Sequence, residues 1–214
     1  MAKVRQPRAA RPPVGEAVTL DTLRQQAAGC RGCGLWRTAT QTVFGSGPAN
    51  ARIMLVGEQP GDQEDKAGEP FVGAAGRVLR EALEAAGLDV ADVYLTNAVK
   101  HFKWTPRGTR RIHERPNREE ILACRVWLDS EIAQVRPQAL VALGATAAGV
   151  ILGPKVRVTK DRGRSHESPL APFVTVTVHP SSILRVPDSD GRKLAMRQFI
   201  EDLKVVANAV GRRR

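Results

Sequence analysis

Four short apolar runs divide the chain: IMLV from Ile53, VYLTNAV from Val93, ALVAL from Ala139 and FVTVTV from Phe173. Each is continuous rather than strictly alternating, the pattern of a strand covered on both faces. Strands are therefore expected over about 52–56, 93–99, 139–143 and 173–178. Helical spacing fills the intervals. Val78, Leu79, Ala82, Leu83 and Ala86 mark one face of a helix over 76–86 that Gly87 ends. A long helix over 118–135 carries Cys124 and Trp127 and stops before Pro137. A short helix is expected over 145–152, turns and a small hairpin within 154–171, and a closing helix over 192–209 with Leu194, Phe199, Leu203 and Val206 inward. Ahead of the first strand, 19–28 reads as an amphipathic helix with Leu20, Leu23 and Ala27 on one side and Thr19 or Asp21 as cap. Strands alternating with helices predict an α/β fold: a three-layer αβα sandwich around a four-stranded parallel sheet.

In a parallel sheet all carboxyl ends share one edge, where ligands of open α/β folds bind. Three strand ends here are polar: Glu58-Gln59 after the first, Asn97 at the end of the second, His179-Pro-Ser-Ser182 after the fourth. The first strand opens into a long acidic, Gly-rich loop through Asp62 to Phe71 and Gly73. Loops of that length in a small domain are usually functional. A site is expected where the three ends converge.

Charge sharpens the picture. The chain of 214 residues carries a formal +11, part of it in a basic tail at 1–16, expected to be disordered, and a second basic tail at 211–214, around a single domain over 17–210. Between Lys100 and Asn117 six basic residues face one acid, Glu114. Such a loop points to phosphate contacts. No apolar run is long enough for a membrane helix, and the basic, Pro-rich N-terminus has no apolar core of a secretory signal. A cytoplasmic monomer is expected. The three cysteines do not form a disulfide framework and read better as ligands. Cys30 and Cys33 form a CxxC pair, and Cys124 and His101 supply two further donors. Three thiolates and an imidazole suit zinc, toward which donor chemistry alone leans, and suit equally an iron–sulfur cluster with one non-cysteine ligand.

The stretch GEQPGDQEDKAGEPFVGAAG (57–76), the sequence NAVKH ending at His101, and HPSS from His179, with the CxxC before them, resemble the iron–sulfur uracil-DNA glycosylases. Arg110-Arg-Ile-His113 resembles the UdgX branch, whose members capture uracil-DNA covalently. The likeness spans about 19–209. It implies a [4Fe-4S] cluster on Cys30, Cys33, His101 and Cys124, with His101 standing where relatives usually have cysteine. Ala74 departs from the proline that similar proteins carry.

The resemblance also assigns roles. Uracil-containing DNA, single- or double-stranded, is the implied partner, in a bacterial cytoplasm and on the nucleoid when acting. A base inside a duplex must be flipped out to be reached. Phe71 offers its face to the pyrimidine, Asn97 matches the O4/N3 edge of uracil, and Gln59, Asp62 and Ser181 belong to the substrate pocket. His179 bonds uracil O2 as negative charge develops there. Arg110, Arg111 and Ser182 meet DNA phosphates, the arginines otherwise anchoring their loop on its own carboxylates. Glu58 orients His113, which attacks C1′ of the sugar and ends the protein's working life in one event. Two alternatives stand beside this reading: a turnover glycosylase that releases a free abasic site, and a non-catalytic DNA-binding module with a structural metal.

Overall fold

The computed structural model describes residues 18–211. Four parallel strands, β1 (Ile53–Gly57), β2 (Val93–Asn97), β5 (Ala139–Leu143) and β6 (Phe173–Thr177), form one sheet in the order β2-β1-β5-β6. Ile53 pairs with Val93 on one side and with Ala139 on the other. Side chains alternate between two buried faces, as the pleat requires. Met54, Val56, Tyr94, Leu140, Ala142, Val174 and Val176 pack with Leu23, Trp127, Leu128 and Ala148 from α1 (Leu20–Ala28), α4 (Arg118–Val135) and α5 (Ala145–Ile151). Ile53, Leu55, Leu95, Val141 and Leu143 pack with Leu79, Leu83, Phe199 and Leu203 from α3 (Ala74–Ala85) and α8 (Ser189–Val210). The αβα sandwich expected from the apolar runs is present. Because β1 is flanked by β2 and β5, the strand order reverses there and a crevice opens at the carboxyl edge.

The ends of the elements follow local chemistry. Thr19 caps α1 through the Thr22 N–H, and Asn117 caps α4 through the Glu120 N–H while Glu120 reaches back to the Asn117 N–H. Arg136 leaves α4 in the left-handed region at φ 47°, just before Pro137.

Several expectations need correction. β2 ends at Asn97, because the Ala98 and Val99 amides turn to donate to the carbonyls of Gly57 and Glu58. The acidic loop contains a helix, α2 (Asp62–Ala67), and α3 begins at Ala74. The basic loop after β2 is a hairpin of β3 (Trp104–Arg107) and β4 (Arg110–His113), with Trp104 opposite His113 and Gly108 turning at φ 59°. The hairpin expected within 154–171 is instead the short helix α6 (Val158–Asp161) and a single bridge from His166 to Val174. α8 starts at Ser189, capped by Asp188, and Leu194 on it is 49% exposed rather than inward. A further short helix, α7 (Pro180–Leu184), follows β6. The basic tails lie outside the described residues except for Gly211. Among the described residues no helix is long and apolar enough to cross a membrane.

Candidate active site

A cavity of about 770 Å³ occupies the crevice, and its wall includes Glu58, Gln59, Phe71, Asn97, His113, Thr146, His179, Ser181 and Ser182. The polar ends of β1, β2 and β6 thus meet in one place. Phe71 is 4% exposed and adopts φ 58°, an uncommon backbone for a side chain of that size. The Arg80 guanidinium donates to its carbonyl at 3.0 Å, and α3 passes so close that a Cβ on Gly76 would stand 1.6 Å from the same oxygen. This turn sets the Phe71 ring against His179, with centroids 6.0 Å apart and planes inclined by 26°. Gly57 keeps the floor open: a Cβ there would meet Asn97 Oδ1 at 2.3 Å and Phe71 Cζ at 2.9 Å. Asn97 is buried, and its amide makes no hydrogen bond among the described residues, while its backbone carbonyl accepts from Lys100 Nζ at 2.8 Å. The carboxamide faces the cavity with its donor and its acceptor both free to meet a ligand.

His179 caps α7. The Ser181 N–H donates to its Nδ1 at 3.2 Å, so the ring proton sits on Nε2 when the imidazole is neutral. Burial, then the nearby positive charge of Arg185 and then His113, push its pKa down to about 4. His179 is therefore a neutral donor at neutral pH. Ser181 Oγ lies 2.8 Å from the same Nδ1 and accepts from Arg185 at 3.1 Å. Ser182 Oγ donates to the His179 carbonyl at 2.8 Å.

On the other wall, His113 Nε2 stands 3.5 Å from Glu58 Oε1, with the His113 side chain 51% exposed. Glu58 Oε2 accepts a short hydrogen bond from the Thr146 hydroxyl, and Arg115 Nε donates to Thr146 Oγ1 at 3.1 Å while lying 3.8 Å from Glu58. Gln59 faces away from the cavity with its amide: it donates to the Lys103 and Glu114 carbonyls at 3.2 and 2.9 Å and accepts from the Lys103 N–H at 3.0 Å. It staples the base of the hairpin. Arg111 clamps the hairpin to α2 through Asp62 at 2.5 Å and Asp65 at 2.7 Å, and lies over the Phe102 and Trp104 rings. Asp62 also pairs with Lys66 at 2.6 Å, so Asp62 and Arg111 serve each other rather than the cavity. Arg110 is exposed and makes no ion pair among the described residues.

The profile of the uracil DNA glycosylase superfamily matches residues 44–204, which takes in every cavity residue named above. The chain belongs to this superfamily. A type-4 uracil-DNA glycosylase of Thermotoga maritima is 37% identical over 181 residues, 84% of this chain and 91% of that protein. The type-4 enzymes of Pyrobaculum aerophilum and Sulfurisphaera tokodaii are 35% and 36% identical, with 78% and 85% of this chain aligned to 86% and 82% of theirs.

Sequence reasoning passed over Thr146, counted Arg115 only among the basic residues of its loop, and gave Glu64 no role beyond the acidic loop. Glu64 accepts from the Gly61 N–H at 3.1 Å and from the Gly73 N–H at 2.8 Å, closing the loop that presents Phe71. Thr146 lies three residues beyond Leu143, where β5 also ends at the carboxyl edge. The strand-end rule applied to the third strand would have found it.

The four sulfur and imidazole donors gather on the α1–α4 side. Cys30 and Cys124 are buried and Cys33 is partly so, with all three thiols unbridged. The Trp127 indole N–H donates to Cys30 Sγ at 3.2 Å, and the Lys100 N–H to Cys124 Sγ at 3.3 Å. Burial pushes the Cys124 thiol up to about 12, an environment in which a thiolate persists only beside a cation. The Thr42 hydroxyl donates to the Ala27 carbonyl at 2.9 Å and must therefore accept the His101 Nε2–H at 2.9 Å. That tautomer leaves His101 Nδ1 a bare lone pair, buried and without a partner. An imidazole held through one nitrogen with the other free is the usual posture of a metal ligand. Among the described residues, no three such side chains close around one point as the ligands of a single ion do.

Proposed function

We propose that the chain excises uracil from DNA and that His113 then captures the sugar covalently. The observation that carries the reading is one cavity wall holding His113 against Glu58, opposite His179 and the Asn97 amide. The type-4 relatives support the first half, glycosidic cleavage of uracil.

Uracil flipped into the cavity stacks on Phe71. The Asn97 amide donates to O4 and accepts from N3–H. Cytosine presents the opposite pattern and would leave both groups unpaired, a discrimination of about 10⁴–10⁵-fold in sites of this kind. The glycosidic pair leaves with the base, so negative charge grows on O2 and positive charge on the sugar. The neutral His179 Nε2–H meets O2. The imidazole lone pair of His113 forms the bond to C1′, and its ring proton passes to Glu58, which Thr146 and Arg115 hold in place. The adduct has no good leaving group, so the protein acts once. Arg110 and Ser182 contact the DNA backbone, and Arg111 holds the hairpin that carries His113.

A second reading rests on the same anchoring of Glu58. Held by Thr146 independently of His113, Glu58 can orient water and give a free abasic site with turnover. A denaturing gel of the protein with a uracil-containing single strand, beside a thymine control, separates the two. A heat-stable slow band only with uracil supports capture. Strand scission after alkali without that band supports turnover, and neither outcome leaves a non-catalytic DNA-binding module.

His179 gives a graded test. His179→Leu is expected to lower the rate of uracil release about 10²–10³-fold, as for loss of one oxyanion donor. His179→Gln keeps a neutral donor and retains more activity. Its low folded pKa means the unfolded chain takes the proton first, at about 6.5. Stability therefore falls as pH drops from there toward about 4, and the Gln variant shows less of that fall in urea titrations.

Cys30, Cys33, Cys124 and His101 Nδ1 are the residues that would hold a [4Fe-4S] cluster, the orphaned His101 nitrogen and the three unbridged thiols supporting that assignment. Such a cluster would tie the end of α1, the loop after β2 and α4 together beside the hairpin. Brown protein with iron and acid-labile sulfide is expected; colourless protein with stoichiometric zinc would overturn the assignment.

A further inference from the structure

The hairpin with His113 stands over the loop after β1, held through Glu58, Gln59 and Asp62, whereas α6 packs on β6 at one edge of the sheet. Val158 of α6 lines the same cavity beside Thr146 and Ser182. Around it, from Lys155 to Arg164, five cations stand against one acid, Asp161. The chemistry proposed above uses none of them. The Asp161 carboxylate turns back to accept the Arg157 N–H at 2.7 Å, and Arg162 pairs with Asp202 at 2.8 Å. Lys155, Arg157, Lys160 and Arg164 are exposed and make no ion pair among the described residues. Nor is the segment a loose loop. The Gly163 N–H donates to the Val176 carbonyl at 3.0 Å and the His166 N–H to the Val174 carbonyl at 2.8 Å, pinning it along β6.

We infer that Lys155, Arg157 and Lys160 form a second phosphate track, gripping the DNA strand on the side of the flipped nucleotide away from the hairpin. The inference rests on reading the cavity as the uracil site. Flipping a nucleotide costs a few kcal/mol of stacking and pairing, and backbone contacts on both flanks hold the strand while the base is out. β1 and β6 lie two spacings of about 4.8 Å apart, so the two basic segments flank the cavity about 10 Å or more from each other. Such contacts carry no sequence information, so they act alike on DNA with and without uracil.

The test measures binding of a fluorescent thymine-only single strand across a salt series, which needs no uracil recognition. The variant Lys155→Ala/Arg157→Ala/Lys160→Ala is compared with the parent and with Arg136→Gln/Lys204→Gln, a charge-removing control on α4's end and α8. Each single-strand phosphate contact contributes about 0.7 to the slope of log K against log salt, so the triple variant is expected to flatten it by about 2 and to bind at least about tenfold more weakly in low salt. The control is expected to keep the parent's slope. A parent slope in the triple variant, or an equal flattening in the control, overturns the track and leaves the uracil reading standing. A parent that binds no DNA at all overturns both.

Discussion

His113→Ser is expected to abolish the heat-stable protein–DNA band while uracil release continues. The two events use different walls of the cavity. In the proposed reaction, departure of the base uses the Phe71 face, the Asn97 amide and the His179 Nε2–H, which other elements than the hairpin strand β4 carry. The proposed capture uses the imidazole 3.5 Å from Glu58. Serine keeps the backbone of β4, whose register is fixed by the pairing of residue 113 with Trp104 and by Arg111 on Asp62 and Asp65. The smaller side chain also makes room for water, which Glu58 can orient, so the variant is expected to become a turnover enzyme. Glu58→Gln should slow capture while leaving His113 present, because the ring proton then has no carboxylate to receive it. The readout is paired: band intensity on a denaturing gel and free uracil from the same reaction. A band that persists in His113→Ser would remove His113 from the chemistry. Loss of uracil release together with the band would mean that the hairpin serves base departure as well.

The strands were legible because each is buried on both faces and so written as a continuous apolar run. The polar residues that end β1, β2 and β6 were legible for the complementary reason: a run of that kind stops where the chain meets a site. The hairpin was not. Its segment contains Pro106, and its residues are mostly exposed, so neither alternation nor burial marks it as strand. It is held by Gln59 and Arg111, polar side chains from, and to, distant parts of the chain. α2 failed for a related reason, since its buried residues are Glu64 and Asp65, the inverse of an apolar stripe. Leu194 shows the limit of reading residue type without phase. Phe199, Leu203 and Val206 follow a 4-3 spacing, and the same stripe extended backward falls on Ala195 and Met196, which do pack against the core. Leu194 lies off that stripe. In the site, the resemblance pointed to His113, His179, Asn97 and Phe71, which line one cavity, and offered carboxylates as one anchor for Arg111, whereas the contacts of Gln59 and Asp62 came only from the distances.

Lys100→Met is expected to cost about 3–5 kcal/mol of stability, the usual price of stranding one member of a buried ion pair. Lys100 and Glu131 are both fully buried and 2.5 Å apart. The ammonium uses its three protons on Glu131, on Thr96 Oγ1 at 2.6 Å and on the Asn97 carbonyl at 2.8 Å. The carboxylate in turn accepts from the Gly45 N–H at 2.9 Å and the Tyr94 hydroxyl at 3.2 Å. Methionine fills the volume but leaves Glu131 a buried charge without its cation. Adding Glu131→Gln removes that charge and keeps an acceptor for Gly45 and Tyr94, so the double variant should regain most of the loss. Urea unfolding with an unchanged m-value measures both steps. Equal losses in the single and double variants would show that shape, not charge, sets the cost. The pair also carries function through position. Lys100 is the link between the Asn97 backbone and the Cys124 thiol, to which its own N–H donates. Even where stability returns, the double variant lacks the ammonium that fixes the Asn97 carbonyl, and its preference for uracil over cytosine should narrow. A double variant that is stable and as selective as the parent would confine Lys100 to the core; a stable one with relaxed selectivity makes it the residue that sets the reading edge of Asn97.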